Sequence, residues 1–428
     1  ELMFHLYLSN HTEQLLEQLT ECIVADPPTL FNTEFFLIQS RGIERLIVQT
    51  LAARFSVWSN SCFLYPRQFI DHLCACLLLE KSAGQFEPDA LIWRIESILR
   101  HESIAAQPPL RQYLARGDRE LKRYQLAYHL ADLFDQYQVL RPAMIRAWNE
   151  NRCQTTHAVE RWQQMIWKEL VRHGGSGQDR GATISRLVSA LRRSAAPADG
   201  LPRRLFVFGL HTMPPLLLDA LDAYALSCDV HLFLLVPTRS WVVTEQQAEE
   251  LGAAPAPPTL MLLETLGRQG GDFYRLLINR IDPLTLHPPR FVEPAASGTP
   301  SLLGRLQRDL LAGVATPLGS DEEIAPDGSL QIHSCHSRVR EIAVLRDAVL
   351  SWLEEDPGLG LHDIVIMAPD IDPYRPLITT LFDDIEHDIA DTRSARVNPY
   401  FQGLRDFLEL LTSRCSCSDV LGLLERTE

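Results

Sequence analysis

Apolar residues recur along this chain in two rhythms, short β-rich runs and longer stretches at helical spacing, and their alternation predicts parallel α/β layers. A first strand-helix-strand unit starts at Phe4-His5-Leu6-Tyr7-Leu8, continues through a helix bearing Leu15, Leu16, Leu19 and Ile23, and ends at Phe35-Phe36-Leu37-Ile38. Asn10, with Glu13 three residues on, predicts a capping box at that helix start. A second unit joins Leu205-Phe206-Val207-Phe208 to Val230-His231-Leu232-Phe233-Leu234-Leu235. Its helix carries Leu216, Leu217, Ala220 and Leu221 and opens at Pro214-Pro215, where a fixed φ and a missing N–H do no harm. A third unit is expected from Ser329-Leu330-Gln331-Ile332-His333, through Ile342, Leu345, Val349 and Leu353, to Asp363-Ile364-Val365-Ile366-Met367.

About 130 residues of mostly helical pattern separate the first two units, including Leu121 to Trp148 with Leu126, Leu130, Leu133 and Phe134. They read as an inserted helical subdomain. Residues 174–182 read as a flexible loop, and 251–259 and 283–328 are rich in Pro, Gly and Ala, which puts a domain boundary near 320. The helical pattern is still running at Leu423-Leu424, so the last domain is expected to be incomplete.

With 428 residues, 46% hydrophobic and 22% charged, the chain has room for two or three domains. No run of eighteen uncharged apolar residues occurs, and Glu1-Leu2-Met3-Phe4-His5 does not resemble a secretory leader, so no membrane association and a cytoplasmic location are expected. The nine cysteines include Cys74-x-Cys76 and Cys415-x-Cys417 but no C-x-x-C pair, so neither a zinc site nor a disulfide framework is indicated. The net charge of -15 is uneven: residues 1–240 hold 25 Lys+Arg against 25 Asp+Glu, whereas 241–428 hold 15 against 30. Only the first part therefore qualifies as a nucleic-acid surface. Of the 40 cations only Lys81, Lys122 and Lys168 are lysines, a skew that suits phosphate recognition but more often reflects genome composition.

A strand running straight into a helix is where a P-loop ATPase needs glycine amides and a lysine around the phosphates. Here the turn reads Ser9-Asn10-His11-Thr12-Glu13-Gln14, and the first glycine and first lysine of the chain are Gly42 and Lys81. After Val207-Phe208, where a magnesium-holding acidic pair belongs, come Gly209-Leu210. Neither ATP nor magnesium is expected to bind. Asp118 with Glu120-x-Lys122 superficially matches a nuclease signature, but the helical periodicity around it favours a solvated helix. His101-Glu102 has no second histidine of a metalloprotease motif, and no G-x-S-x-G elbow occurs.

Two polar groupings remain. Gln39-Ser40-Arg41-Gly42-Ile43-Glu44-Arg45 follows an apolar strand and opens an amphipathic helix, the place where open α/β sheets bind ligands. Gln39, Ser40, Arg41 and Arg45 there could hold phosphates or bases, and a plain helix cap with exposed arginines explains them equally well. Asp132-Leu133-Phe134-Asp135-Gln136-Tyr137, followed by Arg141-Pro142, offers groups for base edges, stacking and phosphate, with a solvated helix end as the alternative.

These residues resemble the RecC family. The resemblance rests on Leu6-Tyr7-Leu8-Ser9-Asn10, Leu37-Ile38-Gln39-Ser40-x-Gly42, Ala131–Tyr137 with Arg141-Pro142, Phe206-Val207-Phe208-Gly209 with Met213-Pro214-Pro215, and His333-Ser334-Cys335-His336-Ser337 with Arg340-Glu341. It implies a RecA-like, superfamily 1 helicase-like α/β fold: a first RecA-like domain at 1–80 and 201–320, an inserted helical subdomain at 81–200, and the start of a second RecA-like domain at 321–428. It further implies a non-catalytic subunit that works with RecB-type and RecD-type partners, splits forked DNA, and scans a single strand for a Chi-type signal in recombinational repair. The implied contact residues are Gln39, Arg41, Arg45, Tyr65, Asp71, Asp132, Leu133, Asp135, Gln136, Arg141 and Arg180. Arg41 and Arg45 stand where that family has small or amide side chains, Tyr65 where it has Leu and Asp71 where it has Trp, which leaves the recognised DNA sequence open. Two rival readings are an active helicase-nuclease subunit related to AddB, and a protein-docking module that does not bind DNA.

Overall fold

Six short strands, β1 (Phe4–Ser9), β2 (Glu34–Leu37), β3 (Ser61–Leu64), β4 (Arg204–Phe208), β5 (Asp229–Leu235) and β6 (Leu284–Leu286), form one sheet in the order β3-β2-β4-β5-β1-β6. Every pairing is parallel. The computed structural model describes residues 3–29, 32–77, 84–115, 117–155, 157–174, 179–193, 201–241, 261–281, 284–294, 301–315, 327–390 and 399–425. They divide into two compact units, Glu1–Ala325 and Pro326–Glu428.

A parallel sheet must be covered on both faces, and the alternation along each strand supplies two apolar surfaces. On one face Tyr7, Phe36, Phe206, Phe208 and Phe233 are buried with residues of α1 (Thr12–Ala25) and α2 (Arg41–Phe55). Between β3 and β4 the described residues form α3 (Pro66–Cys76), α4 (Pro88–Ile98), α5 (Glu102–Ala105), α6 (Pro108–Leu114), α7 (Arg119–Leu140), α8 (Pro142–Asn149), α9 (Ala158–Gly174) and α10 (Arg180–Arg193). The opposite sheet face, with Phe4, Leu6, Leu8, Leu205, Val207, Val230 and Leu232, packs on Phe69 and Leu73 of α3, Leu187 and Leu191 of α10, and α11 (Pro215–Ala225).

Helices α4 to α9 bury a core of their own around Phe86, Leu91, Ile95, Phe134, Trp148 and Trp167. Its two fully buried indoles are satisfied: Trp148 Nε1 donates to Glu160 at 3.0 Å and Trp167 Nε1 to Asn149 at 2.9 Å. Asp118 caps α7 through the Glu120 and Leu121 amides, and Glu120 pairs with Arg100 and Arg123. Those carboxylates are helix-capping and surface ion-pair groups.

Three expectations need correction. Asn10 forms no capping box: His11 occupies the N-cap, while the Asn10 amide donates to the Val292 carbonyl at 2.9 Å and accepts from the Val292 amide at 2.8 Å. A long-range backbone partner outcompetes a local cap. Residues 329–333 and 363–367 are not strands, and Ile332, Val365 and Met367 are 92, 76 and 88% exposed. An extended segment becomes a strand only when a neighbour accepts and donates its backbone hydrogen bonds, and the described residues of Pro326–Glu428 contain no such ladder. The helix between them, Arg338–Glu355, forms as expected. Of the expected loop at 174–182, residues 175–178 lie outside the described residues and Arg180 opens α10.

Candidate nucleic-acid interface

β2, β3 and β4 lie side by side, so their carboxyl ends share one edge, and the segments leaving β2 and β3 carry Gln39, Ser40, Arg41, Arg45, Tyr65 and Asp71. Pairing continues past β2, where the Ile38 amide donates to the Leu64 carbonyl at 3.0 Å. Ser40 then caps α2 in extended conformation, accepting from the Ile43 amide at 3.4 Å. Ile47 and Leu51 turn inward, leaving Gln39, Arg41 and Arg45 exposed beside the positive end of the helix dipole. The exit from β4 runs close to this helix: Gly209 has φ +72°, and a Cβ there would stand 3.0 Å from the Ile43 side chain. Both constraints call for glycine.

Tyr65 precedes α3 and its amide donates to Gln68 Oε1 at 3.1 Å. One turn further, half-buried Asp71 lines a cleft of about 120 Å³ together with Arg67, Ile70, Val139, Arg180, Thr183 and Met213. The cleft is built where α10 starts against the end of α7. Buried Gln138 accepts from the Arg180 amide at 3.0 Å and donates to the Phe134 carbonyl at 3.2 Å, and the Arg180 guanidinium forms an ion pair with Asp135. Gly181 permits the approach, since a Cβ there would lie 2.2 Å from the Gln138 carbonyl oxygen. Burial pushes the neighbouring Asp179 carboxyl above the usual range, opposed by the amides of Ala182 and Gly181.

The structure thus brings Asp71 and Arg180 together in the lining of one cleft, with Asp135 held to Arg180 by the ion pair. Gln39, Ser40, Arg41 and Arg45 form a separate group at the β2–α2 turn, with Tyr65 at the exit of β3. Asp132 and Gln136 are exposed on α7 and hydrogen-bonded to each other at 2.9 Å. Leu133 packs inward on the helical core, and Arg141 lies over the Tyr137 ring at 5.7 Å. Sequence reasoning missed Arg67, Gln138, Thr183 and Met213, whose roles depend on helix packing and leave no local pattern.

The turn after β1 is closed from within. Ser9 Oγ donates to the Arg290 carbonyl at 2.6 Å, the His287 and Arg290 amides donate to Leu6 and Leu8, and the Arg290 guanidinium pairs with Glu21. A larger cleft, about 310 Å³, opens at the amino ends of β2 and β4. Size is a poor guide there, because its arginines are already engaged: Arg204 binds Glu34 at 2.8 and 2.9 Å, and Arg203 and Arg204 both reach Asp26. At the same end of the sheet His5 stacks on His231 and hydrogen-bonds His287 at 3.1 Å. Burial, then the charges of His5, Arg204 and His287, depress the His231 pKa to about 3. Among the described residues no group of three or more His, Cys, Asp or Glu is arranged to hold a metal ion, and no helix is long and apolar enough to cross a membrane.

Residues 4–313 match the family described as RecC, N-terminal domain. The chain is similar to the RecBCD enzyme subunit RecC of Escherichia coli K12, with 30% identity over 99% of this chain and 42% of that protein. It is likewise similar to the subunits of that name from Haemophilus influenzae, at 28% over 99% of this chain and 44% of that protein, and Mycobacterium tuberculosis, at 29% over 98% and 40%. It spans roughly two fifths of the length of these relatives. With that coverage, and with a parallel α/β sheet whose strand exits carry the residues named above, the chain belongs to the RecC family.

Proposed function

We propose that this chain is the helicase-like amino-terminal part of a RecBCD-type subunit, a scaffold that binds single-stranded DNA without hydrolysing ATP. RecB-type and RecD-type subunits are its partners and supply ATP turnover and cleavage, as the name RecBCD enzyme subunit carried by the relatives suggests. In this reading, residues 1–80 and 201–320 form a RecA-like domain, 81–200 an inserted helical subdomain and 321–428 the start of a second RecA-like domain. The location is cytoplasmic, where such a complex meets DNA.

The observation that carries the reading is the meeting of Asp71 with Arg180, itself paired with Asp135, in one cleft beside the carboxyl edge of the sheet, the edge from which exposed Gln39, Arg41 and Arg45 also project. Arginines there can contact phosphates, while carboxylates and amides can address base edges, which is what splitting a fork and scanning the released strand for a Chi-type signal would need. A motor role fits poorly: Ser9, Asn10 and His11 replace a glycine-rich loop, and residues 287–292 already occupy the hydrogen-bonding groups of that turn.

Anisotropy of a labelled single strand, titrated with the protein at low and moderate salt, tests this. Salt-sensitive binding that weakens in Arg41→Ala/Arg45→Ala is expected, with no ATP turnover. No binding at low salt would favour the protein-docking module, and ATP turnover would favour the active helicase-nuclease.

A further inference from the structure

The outward face of α7 is aromatic where its inward face is a packed core. Arg123, Ala127, Leu130, Ala131, Phe134 and Gln138 are buried, whereas Leu121, Tyr124, Gln125, Tyr128, Asp132 and Gln136 are exposed. At about 100° per residue, these six exposed positions fall within roughly 120° of arc, one continuous stripe. Trp93 joins it from α4: Leu91 and Ile95 turn inward, Trp93 turns outward, and its ring meets that of Tyr124 at 5.7 Å. Trp93, Tyr124 and Tyr128 are 65, 40 and 54% exposed. The same helical body buries Phe86, Phe134, Trp148 and Trp167 completely, so it has no shortage of core space for rings. Three exposed aromatics on one ledge call for an occupant.

The stripe includes Asp132 and Gln136, which the family resemblance implies as DNA contacts. Exposed guanidiniums stand near both ends, Arg119 at the start of α7 and Arg141 after its last residue. From Tyr124 to Leu140 the formally charged residues of α7 are the carboxylates Asp132 and Asp135, which repel phosphate but accept hydrogen bonds from base amino groups. A strand lying here would turn its bases toward the helix and its phosphates toward the flanking arginines. We infer that Trp93, Tyr124 and Tyr128 form a stacking ledge for unpaired nucleobases, continuing the single-strand path from Asp132 and Gln136 along α7. The inference rests on the single-strand reading above. Tyr124 to Gln136 spans about 18 Å, room for roughly three to five nucleotides.

The test compares a short oligodeoxythymidine with an abasic oligonucleotide of equal length, which keeps the phosphates and removes the faces that stack. Trp93→Ala/Tyr128→Ala is expected to weaken the base-bearing strand roughly tenfold or more, leaving abasic affinity and salt slope unchanged. Trp93→Phe/Tyr128→Phe should restore most of the binding, and thermal melting of each variant checks the fold. Equal loss for both oligonucleotides, or no loss for either, overturns the ledge. Normal DNA binding with lost assembly onto RecB-type or RecD-type subunits overturns it too and gives the face to a protein. If Arg41→Ala/Arg45→Ala weakens binding and the aromatic variants do not, the ledge fails alone. If the wild-type protein binds no strand at low salt, the single-strand reading fails with it.

Discussion

The two ends of the sheet use their polar groups in opposite ways. At the amino ends they satisfy one another: Glu34 grips Arg204 with both oxygens, Asp26 adds to it, and His5 stacks on His231 while hydrogen-bonding His287, which follows β6. At the carboxyl ends Gln39, Arg41 and Arg45 face solvent, and Asp71 and Arg180 line a cleft, Arg180 also being paired with Asp135. Buried charges that satisfy one another are costly to separate and have little left for a ligand, whereas groups turned to solvent at strand exits can meet one. The ion pairs and the histidine stack at the amino end are thus structural devices, and the carboxyl edge is the functional candidate.

Several variants would break or sharpen this contrast. Glu34→Ala leaves the Arg204 guanidinium buried without its main partner, so a loss of about 3–5 kcal/mol in unfolding free energy is expected by denaturant titration, with strand affinity of the folded protein unchanged. Gly181→Ala drives a methyl into the Gln138 carbonyl; about 1–3 kcal/mol of lost stability is expected, and because the displaced segment carries Arg180, strand affinity should fall as well. An effect on both readouts would mark the site where fold and function meet.

Acid should act at the amino end. The folded-state pKa values of His5, His231 and His287 lie below that of a free histidine, so the unfolded chain takes up protons first. The stability they contribute is therefore present above about pH 6.5 and is lost as pH falls from there toward the His231 value near 3. Melting temperature followed from pH 7.5 to 4.5 should drop, and drop less in His231→Phe; an identical profile in the variant would remove the histidine stack from the account.

Much of this arrangement was legible in the sequence. Short, nearly continuous apolar runs revealed β1, β2, β4 and β5, because both faces of a parallel strand must be apolar, and Pro214-Pro215 marked the start of α11. The short strands β3 and β6 escaped notice, since Ser61–Leu64 and Leu284–Leu286 become strands only through β2 and β1 beside them. The same dependence misled in the other direction at 329–333 and 363–367, which have the pattern of strands but no described ladder partner. Polar residues around Gln39 and Asp132 could be read from local spacing. Their division into a cleft group and an exposed group could not, because it depends on Gly181 letting α10 approach α7 and on an ion pair spanning 45 residues.

The smallest expected structural effect carries the most weight. Arg41→Ala/Arg45→Ala should leave stability within about 0.5 kcal/mol, since both side chains are exposed. The decisive measurement is the salt dependence of single-strand affinity for the wild-type protein, this carboxyl-edge double variant, and Arg203→Ala, which removes an exposed arginine at the amino edge. The account predicts that the slope of log affinity against log salt shrinks by roughly 0.7 for each phosphate that the carboxyl edge no longer neutralises, and that Arg203→Ala leaves the slope as it is. An unchanged slope at the carboxyl edge, or an equal change at the amino edge, would contradict it.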